Sequence, residues 1–296
     1  MSFWDDIKRN FNAGSVVMKI VYVNGTAFML YQLLNVIFAI GGNDGLQLAK
    51  WFAINPSIST VMMRPWTILT YQFLHWDFMH LLFNMLWMYW FGDMFLKYFG
   101  QRQVLSVYLF GGILGAAFYL LSYNFIPFYQ EQVSIGMLGA SASVLALVLA
   151  TATAMPNQEV QLMFIGRVKL KYLAAAVVLI DLISITADNA GGHIAHLGGA
   201  LAGYCFATIY LSKNKDITQW IARIADFVAT YTFKRKPKMK VRRTERKATD
   251  RRADMDYNKR KHEDQISVDK ILEKIKQSGY QSLNKEEKEK LFKASK

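Results

Sequence analysis

Gly139-Ala140-Ser141-Ala142-Ser143 opens the apolar run Val144–Met155. Small residues let backbones approach closely, and the run behind them is apolar on every side, so the segment reads as a helix buried among other helices. It stops before Pro156. At about 1.5 Å per residue it covers roughly 22–26 Å, less than the hydrocarbon core of a bilayer. A short central helix leaves its outer end below the membrane surface, under a water-filled depression. Ser141 stands in the first turn. There a hydroxyl lies near the positive end of the helix dipole, among backbone N–H groups able to receive a developing oxyanion. Ser143 points roughly 200° around the helix from it, so only one of the two hydroxyls faces a given site. A lone serine in a membrane helix ordinarily serves packing. The histidines of other helices, and their depth, weigh against that reading here.

Working outward, the 296 residues are 53% hydrophobic and 14% aromatic, yet carry a formal net charge of +13. One soluble globule does not combine these values, whereas an apolar body joined to a basic tail does. Apolar runs fall near 18–40, 78–99, 103–122, 138–155, 170–187 and 193–212. Most approach the roughly 20 residues that cross a bilayer, the fourth and fifth being shorter. The fold class expected is an all-α polytopic membrane protein, a six-helix bundle over residues 18–212. Residues 1–17 form an interfacial segment in which Phe3, Trp4, Ile7 and Phe11 share a face beside Lys8 and Arg9. No small-x-small cleavage site follows the first run, so a cleaved signal peptide is not expected.

Lys8, Arg9, Lys19, Lys97, Arg102, Arg167, Lys169, Lys171 and the basic tail fall on one side of the six runs; the opposite loops hold only Lys50 and Arg64. That asymmetry puts both termini in the cytoplasm. Residues 41–77 make an outer loop carrying Trp51, Phe52, Ile54, Ile58, Val61, Met62, Met63 and Trp66, too apolar to be freely solvated. The single cysteine, Cys205, excludes an intramolecular disulfide framework.

Residues 213–265 form an amphipathic and basic linker, with Trp220, Ile224, Phe227 and Tyr231 on one stripe and a Lys/Arg-dense stretch over 234–261. Anionic lipid headgroups are its natural partner; nucleic acid fits poorly, because aromatic interleaving is absent. Residues 266–296 form a small helical module. Val268, Ile271, Leu272 and Ile275 keep helical spacing, Gly279 supplies a stop, and Asn284 with Glu287 makes a capping box for a second helix holding Leu291 and Phe292.

Polar residues inside spans are costly unless they face protein or water. His80 and Asn84 share a face of the second span, i to i+4, and His196 opens the glycine-rich sixth span Gly191–Gly203. The second, fourth and sixth spans all start at the outer side, so His80, Asn84, Ser141 and His196 arrive at one depth. A hydroxyl becomes a nucleophile when an imidazole accepts its proton, and side-chain donors stabilise the resulting oxyanion. Asp181, inside the fifth run, reads chiefly as a neutral packing acid; its alternative role is third member of a triad. The rival constellation is a metal site built from His75, His80, His193 and His196. It lacks a thiolate, and His80 pairs with Asn84 rather than with a second ligand, so no metal and no cofactor are expected.

His80-x-x-x-Asn84 after His75, Gly139-x-Ser141 at a helix start, and Ala195-His196-Leu197-Gly198-Gly199-Ala200-Leu201-Ala202-Gly203 together resemble the rhomboid family of intramembrane serine proteases. The resemblance covers residues 18–212, in the family's order and six-helix topology. It implies Ser141 as nucleophile, His196 as general base of a Ser/His dyad, and His80, Asn84 and the Ser141 backbone N–H as the oxyanion hole. It further implies single-span transmembrane protein substrates with small residues at the cut and helix-weakening residues nearby. The tail from Ser267 is similar to a helical module that ends some bacterial rhomboids, which implies a multi-pass protein of a bacterial inner membrane. Three positions depart from the family pattern. Ala142 follows the serine where Gly is usual, Leu145 stands where an aromatic often stacks on the base, and the Trp-Arg pair of the outer loop reads Trp66-Thr67. Two other classes of function compete with the protease: a rhomboid-like protein that binds and escorts membrane helices without cutting, and a proton or ion carrier built on His80, His196 and Asp181.

Overall fold

The structure is a computed structural model, and it describes residues 5, 9, 11, 13–42, 46–131, 136–162, 165–186, 189–232 and 267–294. Two compact units divide the chain, Met1–Lys234 and Arg235–Lys296.

The first unit is a helical bundle. Its main helices, among the described residues, are α1 (Val16–Ile40), the short α2 (Leu46–Phe52) and α3 (Ile58–Met63), α4 (Phe78–Leu96), α5 (Gln101–Phe125), α6 (Ser141–Ala154), α7 (Leu170–Ile183), α8 (Ala190–Lys213) and α9 (Gln219–Thr232). The six apolar runs read from sequence thus become α1, α4, α5, α6, α7 and α8. Three of these, α1, α5 and α8, are long and apolar enough to cross a membrane. The outer faces match that setting: Met29, Leu30, Leu33 and Ile40 on α1, and Leu179, Ile180 and Ile183 on α7, are exposed. Such continuous apolar surface belongs in lipid rather than water.

One local element departs from the all-helical reading. Between α6 and α7, Glu159–Leu162 (β1) and Gly166–Lys169 (β2) pair as an antiparallel hairpin, Glu159 opposite Lys169 and Val160 opposite Val168. Val160 and Val168 are β-branched, and Gly166 takes a positive φ of 91°, so the segment carries strand and turn signals on a scale too short for periodicity to expose.

Helix α6 is the centre of the bundle. Among its fourteen residues, Ala142 through Val148 are all buried, as are Ala150, Thr151 and Ala152. The Thr151 and Thr153 hydroxyls donate to the carbonyls of Leu147 and Leu149, 2.7 Å each, so they add no unpaired polar atom to an apolar setting. Helix α8 lies directly on α6. A Cβ at Gly199 or Gly203 would collide with the carbonyl oxygens of Ala142 and Ala146, so only glycine permits that approach.

Asn24, a polar interruption in α1, is buried; its amide donates to the Ile20 carbonyl (2.9 Å) and to the Tyr108 hydroxyl (3.3 Å). In the outer loop Ile54 and Val61 are buried, while Trp51, Phe52, Ile58, Met62, Met63 and Trp66 stay exposed. The Arg64 guanidinium lies 4.1 Å from the Trp51 ring, and Trp66 Nε1 donates to the Trp51 carbonyl. The loop therefore builds its Arg–Trp stack from Arg64 and Trp51. On α9, Trp220, Ile224 and Phe227 are exposed along one face while Ile221 is buried; the Tyr231 side chain lies outside the described residues. So do Phe3, Trp4 and Ile7, whereas Phe11 packs near Tyr22 with ring centroids 6.2 Å apart.

In the second unit, a helix over residues 267–278 (α10) ends at Gly279, whose φ is 76°. It is followed by α11 (Lys285–Ala294). The capping box forms as read: Glu287 N–H donates to Asn284 Oδ1 and Asn284 N–H to Glu287 Oε2, both at 2.8 Å. Ile271 and Leu283 are buried, and Lys274 pairs with Glu287 at 2.9 Å. The basic stretch 234–261 lies outside the described residues.

Candidate active site

The segment that delivers Ser141 is held at every step. Ile54 and Met137 exchange backbone hydrogen bonds of 3.1 and 3.0 Å. Gly139 N–H donates to the Tyr71 carbonyl, and Ala140 N–H to His75 Nε2 at 3.4 Å. Gly139 has φ 134°, a conformation closed to most side chains, and a Cβ there would stand 2.8 Å from the His80 ring. The residue before Ser141, Ala140, offers no side-chain cap to α6. The first intrahelical bond runs from Val144 N–H to the Ala140 carbonyl, which leaves the N–H groups of Ser141, Ala142 and Ser143 outside the helix ladder.

The two serines separate as the helical angle requires. Ser143 is buried and donates to Gln72 Oε1 at 2.8 Å, facing α5. Ser141 lines a cavity of about 880 Å³, shared with His80, Asn84, Leu145, Asp181 and His196. The four residues singled out as nucleophile, base and donors therefore come from α6, α8 and α4 to one cavity. Asp77 caps α4, its Oδ1 accepting from His80 N–H at 2.9 Å, which fixes the first turn carrying His80. Asn84 spends one N–H on the His80 carbonyl (2.8 Å), leaving its second amide hydrogen uncommitted among the described residues.

Asp181 is buried and meets two imidazoles. Its Oδ1 lies 2.8 Å from Nδ1 of His196 and 2.8 Å from Nδ1 of His193. An ionised carboxylate only accepts hydrogen bonds, so both rings then donate Nδ1–H and, when neutral, keep Nε2 as a free acceptor. A base must present that tautomer. The sequence, in which Asp181 reads chiefly as a neutral packing acid, carries no sign that two imidazoles meet it.

His75 belongs to the rival four-histidine metal set that the sequence weighs against. It is fully buried, an acceptor for Ala140 N–H, with its ring edge-on to His80 at 5.0 Å between centroids. Sequence spacing held no signal for this supporting role, because the contact spans 65 residues.

The Rhomboid domain matches residues 63–213, just over half of the chain, and residues 252–296 match a family of unknown function, DUF6576. The chain is 27% identical over 207 residues to RHOMBOID-like protein 12, mitochondrial, of Arabidopsis thaliana, covering 67% of this chain and 59% of that protein. It is 29% identical over 147 residues to Rhomboid-like protein 16, chloroplastic, of the same plant, covering 46% and 43%. Presenilin-associated rhomboid-like protein, mitochondrial, of Homo sapiens is 28% identical over 184 residues, covering 57% of this chain and 44% of that protein. The chain spans about half the length of these curated relatives. With the helical bundle, its membrane-facing surface and the domain match together, the chain is an integral multi-pass membrane protein that belongs to the rhomboid family.

Proposed function

We propose that this protein is an intramembrane serine endopeptidase in which Ser141 is the nucleophile and His196 the general base. The observation that carries the reading is the single cavity at the uncapped, buried end of α6, lined by Ser141, His196, His80 and Asn84 from three helices. His196 takes the Ser141 proton on Nε2 while Asp181 holds its Nδ1–H and stabilises the imidazolium that forms. The hydroxyl oxygen attacks the peptide carbonyl. The oxyanion is received by His80, Asn84 and the Ser141 N–H, groups placed before the charge appears. The amine leaves with the proton from His196, and water in the cavity then hydrolyses the acyl-enzyme.

In this reading α1, α4, α5, α6, α7 and α8 all act as membrane helices, and both termini face the Lys/Arg-rich side, the cytoplasm of a bacterial plasma membrane. Substrates are single-span proteins cut beside small residues, where an unwound backbone reaches Ser141. Residues 18–212 carry the chemistry, and the basic linker 213–265 meets anionic lipid. The test is cleavage of a single-span reporter by purified full-length protein in vesicles, wild type beside Ser141→Ala. Cleavage by wild type alone is expected. Equal behaviour of the two proteins would instead support a role in escorting membrane helices.

A further inference from the structure

His193 and His196 lie i to i+3 on α8, and Asp181 reaches them from α7. The ligating atoms of the three residues all lie within 4.8 Å of one another. One carboxylate oxygen carries both imidazole contacts at 2.8 Å, while Asp181, only 4% exposed, leaves Oδ2 with no hydrogen-bond partner among the described residues. A buried carboxylate served on one oxygen alone is incompletely satisfied. The two imidazoles keep 22% and 23% of their side-chain surface exposed, and Asp181 and His196 line the cavity, so a small ion can reach the cluster.

The donor set is two imidazole nitrogens and one carboxylate oxygen, which suits Zn²⁺ or Co²⁺ and not the all-oxygen preference of Mg²⁺ or Ca²⁺. Zinc bonds of about 2.0–2.2 Å place neighbouring donors of a tetrahedral site about 3.3 Å apart. To admit the ion, each Nδ1 withdraws from Oδ1 by about half an ångström and the two Nδ1 atoms, within 4.8 Å of one another, adjust to the same spacing, with cavity water as the fourth ligand. We propose that Asp181, His193 and His196 form a divalent transition-metal site whose occupation disables His196. It differs from the four-histidine set read from sequence: it uses neither His75 nor His80, and it takes its third ligand from α7.

The metal occupies the Nδ1 lone pair that now carries a proton. Each ring loses its Nδ1 proton to water and gains one at Nε2, so the imidazoles release no net proton. His196 Nε2 then bears hydrogen and cannot accept the proton of Ser141. This inhibitory arm rests on the dyad proposed above; the binding itself does not.

Full-length, tag-free protein in detergent, stripped with a chelator, is titrated with Co²⁺ alone while visible absorption is recorded; Zn²⁺ is added last. A ligand-field band saturating at one Co²⁺ per chain and bleached by Zn²⁺ is expected. His193→Ala and Asp181→Asn each weaken Co²⁺ binding at least about tenfold, and Ser141→Ala leaves the band intact. A wild-type protein without the band overturns the site, and so does a band that both ligand variants retain at full strength. Cleavage of the reporter is followed in parallel. Its inhibition by Zn²⁺ should track Co²⁺ displacement in wild type and require at least about tenfold more Zn²⁺ in His193→Ala. Undiminished cleavage at saturating Zn²⁺ overturns the switch. Absence of all cleavage would count against the protease reading and leave the Co²⁺ result standing, which keeps the two failures apart.

Discussion

Two helix N-termini in this molecule are built in opposite ways. At α11, Asn284 and Glu287 satisfy each other's backbone N–H groups within four residues of chain. At α6, the cap position is Ala140, no side chain closes the end, and the neighbours that hold it come from Tyr71, His75 and Ile54. A helix start satisfied by its own side chains is ordinary. One left uncapped beside a cavity, with its approach clamped by distant residues, is free to bind a negative charge that arrives from outside. Because α5, α7 and α8 also start without a side-chain cap, the contrast teaches that the missing cap at α6 matters only together with the cavity beside it and the distant residues that clamp its approach.

The strongest way to break the comparison is to push α8 off α6. Gly203→Leu drives a side chain into the Ala146 carbonyl, which cannot move without shifting α6. Overpacking against side chains costs about 1–3 kcal/mol, and backbone yields less readily. Loss of folded, monodisperse protein on size-exclusion chromatography is expected, and a variant that folds normally would show that α8 does not position α6. Next in size is loss of the donors. His80→Ala or Asn84→Ala should each lower kcat by roughly one to three orders of magnitude with a smaller change in KM. Unchanged kcat in both variants would remove them from the oxyanion hole.

The local end predicts smaller effects. Asn284→Ala should destabilise α11 by about 1 kcal/mol, read as faster amide exchange over residues 284–288. The Lys274 ammonium and the Asn284 N–H hold the Glu287 carboxyl below its usual range. A lowered folded value means that its contribution is present above the ordinary glutamate range and is lost as pH falls through the lowered one. Acidification should therefore loosen the α11 start, and Glu287→Gln should flatten that dependence. Exchange at these amides indifferent to pH, after correction for intrinsic rates, would contradict the capping box.

The same contrast explains what could be read from the sequence. The capping box at Asn284 was legible because its physics lies within four residues, and the apolar runs were legible because lipid imposes length. The approach of Ser141, His80, Asn84 and His196 was legible once topology put three helix starts on one side. The acceptor role of His75, the Gln72 partner of Ser143 and the shared Asp181 oxygen were not, since each contact spans 12 to 71 residues and depends on helix rotation rather than depth. The β1–β2 hairpin escaped because four-residue strands lie below the window in which alternation can be counted.

The most direct measurement compares the two hydroxyls that sit two residues apart. Ser141→Ala and Ser143→Ala are assayed side by side for reporter cleavage per folded molecule and for thermal stability. Ser141→Ala should abolish cleavage while leaving the melting temperature near that of wild type. Ser143→Ala should keep most of its activity and lose about 1–3 kcal/mol of stability, because Gln72 Oε1 is left buried without its donor. Cleavage that survives in Ser141→Ala, or that disappears only in Ser143→Ala, would contradict the account.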